Sequence, residues 1–378
     1  MKSGSKSGVG GGADAVVVGG GAVGCAIAWR LAQAGLGVAL VERGEPGGEA
    51  TWAAGGILGA QMESIGLGPM LSLGLASRAL HPALAEELLH ATGIDVGFRA
   101  CGVLELAFSE RDAEALRRRC EWQTRAELHA ELVSAAFCQT KGGSPRAISG
   151  LLLPDDGRLD NRLFGRALAL AAERAGVRFV RGEAAEVLQR DGAVRGVALA
   201  EGSIEAGRVV VAGGAWSGLL RGAGVPKGAV RPVRGQVIAL ALRPPFDVVL
   251  GGPTGYAIPR GQDRVLVGAT QDEAGFDKTA TQEGTDQMRS VAALLSPALA
   301  AAPLLDRWAG LRPGSADNLP LVGTLASGPR GLILATGHFR NGILLTPITA
   351  EIVRDLVLGH PPRVDLTPFR PDRPFPAR

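Results

Sequence analysis

Four apolar residues, Ala15 to Val18, run into Gly19-x-Gly21-x-x-Gly24, and an apolar helical stretch follows from Cys25 to Ala34. A β-run, a glycine turn and a helix in that order leave few folds open. The first glycine allows a tight turn, the second brings backbone up to a pyrophosphate, and the third lets helix and strand pack closely. The free N–H groups and positive dipole end of the new helix then face the phosphates. A second strand, Gly37 to Val41, ends in Glu42, 18 residues beyond Gly24, close to the spacing of about 20 that dinucleotide folds use. A carboxylate there accepts hydrogen bonds from both ribose hydroxyls of an adenosine and repels a 2′-phosphate, which argues against an NADP-type ligand. With 56 glycines in 378 residues, a glycine fingerprint alone is weak. The strand before it, the helix after it, the second strand and the terminal acid decide for a dinucleotide.

A chain of 378 residues suggests two domains, or one with a large insertion. Its 46% hydrophobic and 20% charged residues describe an ordinary soluble globular protein. The net charge of +3 comes from 40 basic and 37 acidic residues spread without long runs, which speaks against a nucleic-acid partner. Cys25, Cys101, Cys120 and Cys138 form no CxxC pair and no zinc spacing, so no metal is expected and reduced thiols point to the cytoplasm. Residues 1–12 are Gly/Ser-rich with two lysines and read as a disordered tail, neither a secretion signal nor an anchor. No apolar run approaches the roughly 20 residues of a membrane helix, and no integral membrane contact is expected.

Beyond Glu42, the small residues from Ala50 to Ala60 suit backbone lying against a flat ligand, or equally a flexible loop. Helices are predicted over His81 to Ala91, with Gly93 as stop, over Arg111 to Trp122, behind a Ser109/Asp112 capping box, and over Asn161 to Ala175, capped by Asp160. Strand patterns follow at Val177 to Arg181, Glu186 to Gln189, Ala193 to Ala200 and Arg208 to Ala212, the last entering the glycine turn before Trp216. Val230 to Leu242, Tyr256 to Arg260 and Arg264 to Thr270 predict antiparallel strands, the last two joined at Gly261-Gln262-Asp263. A helix is predicted at about Asp286 to Leu295. Gly331 to Thr336 is a second buried strand leading to a glycine turn, with helical Ile348 to Leu358 behind it and a helix start expected near Leu345.

Three stretches carry a family resemblance: the fingerprint with Thr51-Trp52-Ala53-Ala54-Gly55-Gly56-Ile57-Leu58-Gly59-Ala60, then Trp308-Ala309-Gly310-Leu311-Arg312-Pro313-Gly314, and Gly337-His338-Phe339-Arg340-Asn341-Gly342-Ile343-Leu344-Leu345. The chain resembles the D-amino-acid oxidase superfamily of FAD-dependent enzymes, most closely its glycine oxidase (ThiO) family. The resemblance implies an α/β fold, with a Rossmann-like FAD-binding domain of glutathione-reductase type and an interleaved α+β substrate domain built on an antiparallel sheet. The FAD domain is expected over 13–82, 146–222 and 303–369, and the substrate domain over 83–145 and 223–302.

Cofactor contacts are implied for Gly19, Gly21, Ala22, Val23, Gly24, Glu42, Arg43, Ala50, Thr51, Gly55, Gly56, Ile57, Gly213 and Trp216, and for His338, Phe339, Arg340, Asn341, Gly342, Ile343 and Leu344 around the flavin. Ala185 is placed near the adenine. Arg312 and Arg340 would bind a substrate carboxylate, Tyr256 would donate its hydroxyl to it, and Glu63 would border the entrance. A guanidinium matches a carboxylate with two parallel charge-assisted hydrogen bonds. Both arginines fall in apolar, glycine-flanked segments expected to be loops, where an unpaired charge is costly. An internal salt bridge to Asp317 or Glu351 is the alternative. For Tyr256 the alternative is a half-buried strand aromatic with its hydroxyl in water, and for Glu63 a solvated carboxylate.

Gln271 stands where the family has an apolar residue, often methionine, and makes the pocket more polar. With all cysteines before residue 139, the FAD is expected to be non-covalent. No catalytic acid or base is assigned, because the flavin takes the hydride. The implied reaction oxidises glycine, and sarcosine or small D-amino acids, with O₂ to the imine and H₂O₂, then glyoxylate and ammonia, in the service of thiamine thiazole synthesis. A tetramer is the implied assembly. The alternatives are a D-amino-acid or proline dehydrogenase with a quinone acceptor, and a partner-dependent or RNA-modifying flavoprotein subunit.

Overall fold

A computed structural model describes residues 12–375; apart from Gly12, the expected tail lies outside them. Four apolar residues with no polar alternation demand burial on both faces, and strand Ala15–Val18 lies inside a six-stranded sheet. Its neighbours, both parallel, are Val38–Glu42 and Val209–Val211. Arg178–Arg181 extends one side, and Leu332–Thr336 with Leu321–Gly323 the other. Only the Leu321–Gly323 edge runs antiparallel. Helices Ala22–Gln33, Asn161–Arg174 and Gly342–Leu358 pack together on one face, around Ile27, Leu31, Phe164, Leu168 and Val353. The other face is covered by a small sheet of Ala184–Arg190, Ala193–Leu199 and Ser203–Glu205.

The second sheet has eight strands in the order Leu304–Ser315, Val230–Ala241, Arg264–Gly268, Gly255–Arg260, Val249–Gly252, Val103–Ala107, Ser149–Leu153 and Glu131–Ser134. All of its pairs are antiparallel except Val103–Ala107 with Val249–Gly252. Its core is Leu104, Leu106, Ile238, Leu240, Val265, Val267 and the apolar face of helix Gln282–Leu295.

Three expected boundaries move. The division after residue 82 cuts helix Pro69–Thr92, whose Leu73, Leu84 and Leu88 belong to the first core. Strands Ser149–Leu153 and Leu304–Ser315 lie in the larger sheet, although both were expected in the nucleotide unit. Arg312 therefore sits on a strand, not a loop. Pro313 and Gly314 look like turn residues, but this is an edge strand, and an edge strand tolerates proline. The C-terminal helix begins at Gly342, three residues before the expected start.

Candidate active site

A cavity of about 670 Å³ runs between the two sheets, from Glu42 at one end to Arg312 at the other. Its first end is built by the fingerprint. Gly19 has φ +106°, and a Cβ on Gly24 would lie 1.8 Å from the Gly19 carbonyl oxygen, so neither position admits a side chain. Gly24 is thus a packing residue behind the cavity wall, while Gly19, Gly21, Ala22 and Val23 line it. Helix Ala22–Gln33 has no acid in its first turn, which leaves its positive end to an anion. Thr51 Oγ1 accepts the Ala22 N–H at 2.9 Å and ties the Ala50–Ala53 helix to the fingerprint.

Glu42 is held by two backbone donors, Gly20 N–H at 2.7 Å and Gly44 N–H at 2.8 Å, one to each carboxylate oxygen. Each oxygen keeps a further acceptor site, and Glu42 lines the cavity, as ribose recognition requires. Arg43 stacks on Trp216, 3.9 Å from the ring centroid, and donates to Glu49 at 3.3 Å. Gly213 lines the same wall. Ala185 does not: Gly182 to Ala184 reach the cavity, and Ala185 falls at an irregularity in the strand pairing just beyond them.

The middle of the cavity is walled by Ala50, Gly55, Gly56 and Ile57 on one side and by His338, Phe339, Asn341, Gly342 and Ile343 on the other. His338 is buried, 3.1 Å from Thr349 Oγ1, and burial pushes its pKa down to about 4. It is neutral at pH 7. Leu344 lies outside the cavity, because the new helix turns its side chain into the first core and its carbonyl accepts from Ser77 Oγ at 2.6 Å, with His81 Nε2 at 3.0 Å.

At the far end, Arg312 Nη1 donates to the Thr270 carbonyl at 3.0 Å. The guanidinium lies over Gly235 on the neighbouring strand, where a Cβ would come within 2.1 Å of Nη1. Burial lowers the Arg312 pKa, and Tyr256 beside it raises it in part. Tyr256 lines the same end of the cavity as Arg312, and each shifts the other's ionisation. Burial raises the Tyr256 pKa, with Arg312 and Arg340 pulling it down, so the hydroxyl stays protonated.

Neither expected internal partner holds these arginines. Asp317 is taken by Arg373 at 2.8 Å, and Arg340 Nη2 donates to Glu63 Oε1 at 2.9 Å with its side chain 44% exposed. Arg312 has no carboxylate partner of its own among the described residues, and the Glu63–Arg340 pair stands at the mouth. Gln271 is exposed there as well. A half-buried ion pair that sequence reading did not foresee, Glu105 with Arg119, lines the same end. Gly235 was also missed, although a glycine inside a strand pattern is itself the signal of a close approach.

The family profile named FAD dependent oxidoreductase matches residues 14–356. The chain belongs to that family. The oxidoreductase is 36% identical over 371 residues to the glycine oxidase of Geobacillus kaustophilus, covering 94% of this chain and 96% of that one. It is 36% identical over 370 residues to the bifunctional protein ThiO/ThiG of a Synechocystis strain, covering 95% of this chain and 54% of that longer one. The crystal structure of the Geobacillus kaustophilus glycine oxidase superposes with a TM-score of 0.92 at 33% identity, over 96% of this chain and 99% of that one. FAD is the cofactor. The glycine cradle, the fixed Glu42 and the uncapped helix end fit its adenosine and pyrophosphate, and the small-residue wall from Gly55 to Ile57 fits a flat ring.

Proposed function

We propose that this oxidoreductase oxidises the amine of glycine, and of sarcosine and small D-amino acids, with O₂ as electron acceptor. The observation that carries this reading is the half-buried Arg312 guanidinium, with the Tyr256 hydroxyl, at the end of the cavity opposite Glu42. Bound FAD supplies two-electron acceptance from the Cα–N unit and passes the electrons to O₂, so that imine and H₂O₂ form and water gives glyoxylate and ammonia.

The protein's own part is to bind, orient and keep dry. Arg312 and Tyr256 grip the carboxylate, the Glu63–Arg340 pair screens the mouth, and the apolar wall excludes water. No side chain is assigned as acid or base. We further propose non-covalent FAD, because no cysteine lines the cavity and Cys25, the nearest in sequence to the fingerprint, is buried with its thiol pushed up to about 12. The relatives named for ThiO support delivery of the imine to thiazole synthesis. Four free thiols support a cytoplasmic setting, and a tetramer, read from the family resemblance, is tested by light scattering.

Bleaching of the bound flavin on anaerobic addition of glycine, with stoichiometric peroxide under air, tests the reading. Bleaching without peroxide indicates a quinone-linked dehydrogenase instead. Arg312→Ala is expected to lower kcat/KM for glycine on the order of a hundredfold, mostly through KM, with FAD retained. An unchanged KM would remove the carboxylate role.

A further inference from the structure

Behind the wall that holds Arg312 lies a polar cluster of which Thr270 alone reaches the cavity. Thr270 is buried, and its carbonyl accepts from Arg312 Nη1 at 3.0 Å on the cavity side. Its hydroxyl faces the other way. It accepts the Gln236 backbone N–H at 3.1 Å and donates to Asp272 Oδ2 at 2.9 Å. The same Oδ2 takes Gln236 Nε2 at 3.1 Å and Arg234 Nε at 3.2 Å. Asp272 and Arg234 also exchange two backbone hydrogen bonds of 2.9 Å each.

Arg234 and Gln236 flank Gly235, the residue over which the Arg312 guanidinium lies. Side chains alternate along a strand, so Arg234 and Gln236 project away from the cavity face that Gly235 leaves open. The clamp and the guanidinium therefore occupy opposite faces of one strand, with Thr270 passing between them.

We infer that Asp272 is a positioning residue for carboxylate recognition, fixing the Thr270 carbonyl and through it the guanidinium of Arg312. The inference rests on the reading of Arg312 as the carboxylate anchor. Asp272 touches neither cavity nor cofactor wall. Its carboxylate gathers three donors on one oxygen, which sets the direction of the Thr270 peptide. With Nη1 committed to that peptide, Arg312 presents its remaining N–H groups to the ligand in one fixed orientation, and little ordering is left for binding to supply. Gln271, between the two anchored residues, is held at the mouth by the same clamp.

The test uses holoenzyme of wild type, Asp272→Ala and Asp272→Asn, titrated with acetate by flavin absorbance and assayed with glycine. Acetate Kd and glycine KM are expected to rise about tenfold in Asp272→Ala, the equivalent of one charge-assisted hydrogen bond. A smaller rise is expected in Asp272→Asn, which keeps one acceptor oxygen. FAD occupancy should not change, and kcat should stay within about twofold, because the clamp serves ground-state and transition-state binding alike. A folded Asp272→Ala with unchanged Kd and KM overturns the inference, as does a fall in kcat alone, or wild type that binds no acetate. Should Asp272→Ala not fold, Thr270→Val carries the same expectation, since it removes the hydroxyl bridge and keeps the carbonyl. Failure of wild type to bleach with glycine overturns the proposed substrate and leaves the acetate titration as the reading of the clamp.

Discussion

A methyl group at position 235 would sit 2.1 Å from Nη1 of Arg312, so Gly235→Ala must displace the guanidinium that the cavity is built around. The expected outcome is a rise in glycine KM of about tenfold or more with the flavin spectrum unchanged, measured by steady-state kinetics on holoenzyme. At this scale the structure brings together at one end of the cavity the residues that the motifs single out, Arg312, Arg340, Tyr256, Glu63 and Gln271. Motif reading could not tell which face of an element a residue occupies. Leu344 turned into the core and Gly24 packed behind the wall for that reason, and Ala185 fell outside the lining at an irregularity of its strand. Gly235, Thr270 and Asp272 escaped because their roles come from strands that meet far apart in sequence, such as Val233 opposite Arg312.

Among the elements, helix caps were legible because their chemistry is local. Asp160 Oδ1 accepts the N–H groups of both Arg162 and Leu163 at 3.0 Å, as the Asp160-Asn161 start implied. Its other oxygen lies 3.5 Å from the buried Arg260 guanidinium, whose pKa burial lowers to about 10. Asp160→Ala is expected to cost about 1–2 kcal/mol in urea unfolding from the lost cap alone. Asp160→Asn keeps the cap and isolates the ion pair, so the difference between the two variants reads each part. The element that stayed hidden was Leu304–Ser315. Its Gly310, Pro313 and Gly314 are turn residues by propensity, and only the long pairing with Val230–Ala241 makes them strand. Tertiary pairing overrode local preference, which is the usual limit of β-propensity. The first half of helix Pro69–Thr92 was hidden too, because Pro82 inside it reads as a break.

Over the whole molecule, two buried histidines couple stability to acid. His81 and His338 both have folded-state pKa values pushed down by burial, from 6.5 to about 4. The unfolded chain takes up these protons near pH 6.5 and the folded one only near 4, so their contribution is complete above pH 6.5 and is lost as pH falls towards 4. Each is expected to lower unfolding free energy by about 1.4 kcal/mol per pH unit in that window. His81→Gln keeps a donor for the Leu344 carbonyl and should flatten the acid limb of a denaturation series by one such share; an unchanged slope would show that His81 is not the source.

The strand that carries Arg312 belongs by its backbone to one sheet, while Trp308 on the same strand donates its indole N–H to the Ala53 carbonyl of the other unit at 3.1 Å. No cut through the chain separates reactant recognition from nucleotide recognition. A shift in the packing of either lobe is therefore carried to the other through this strand.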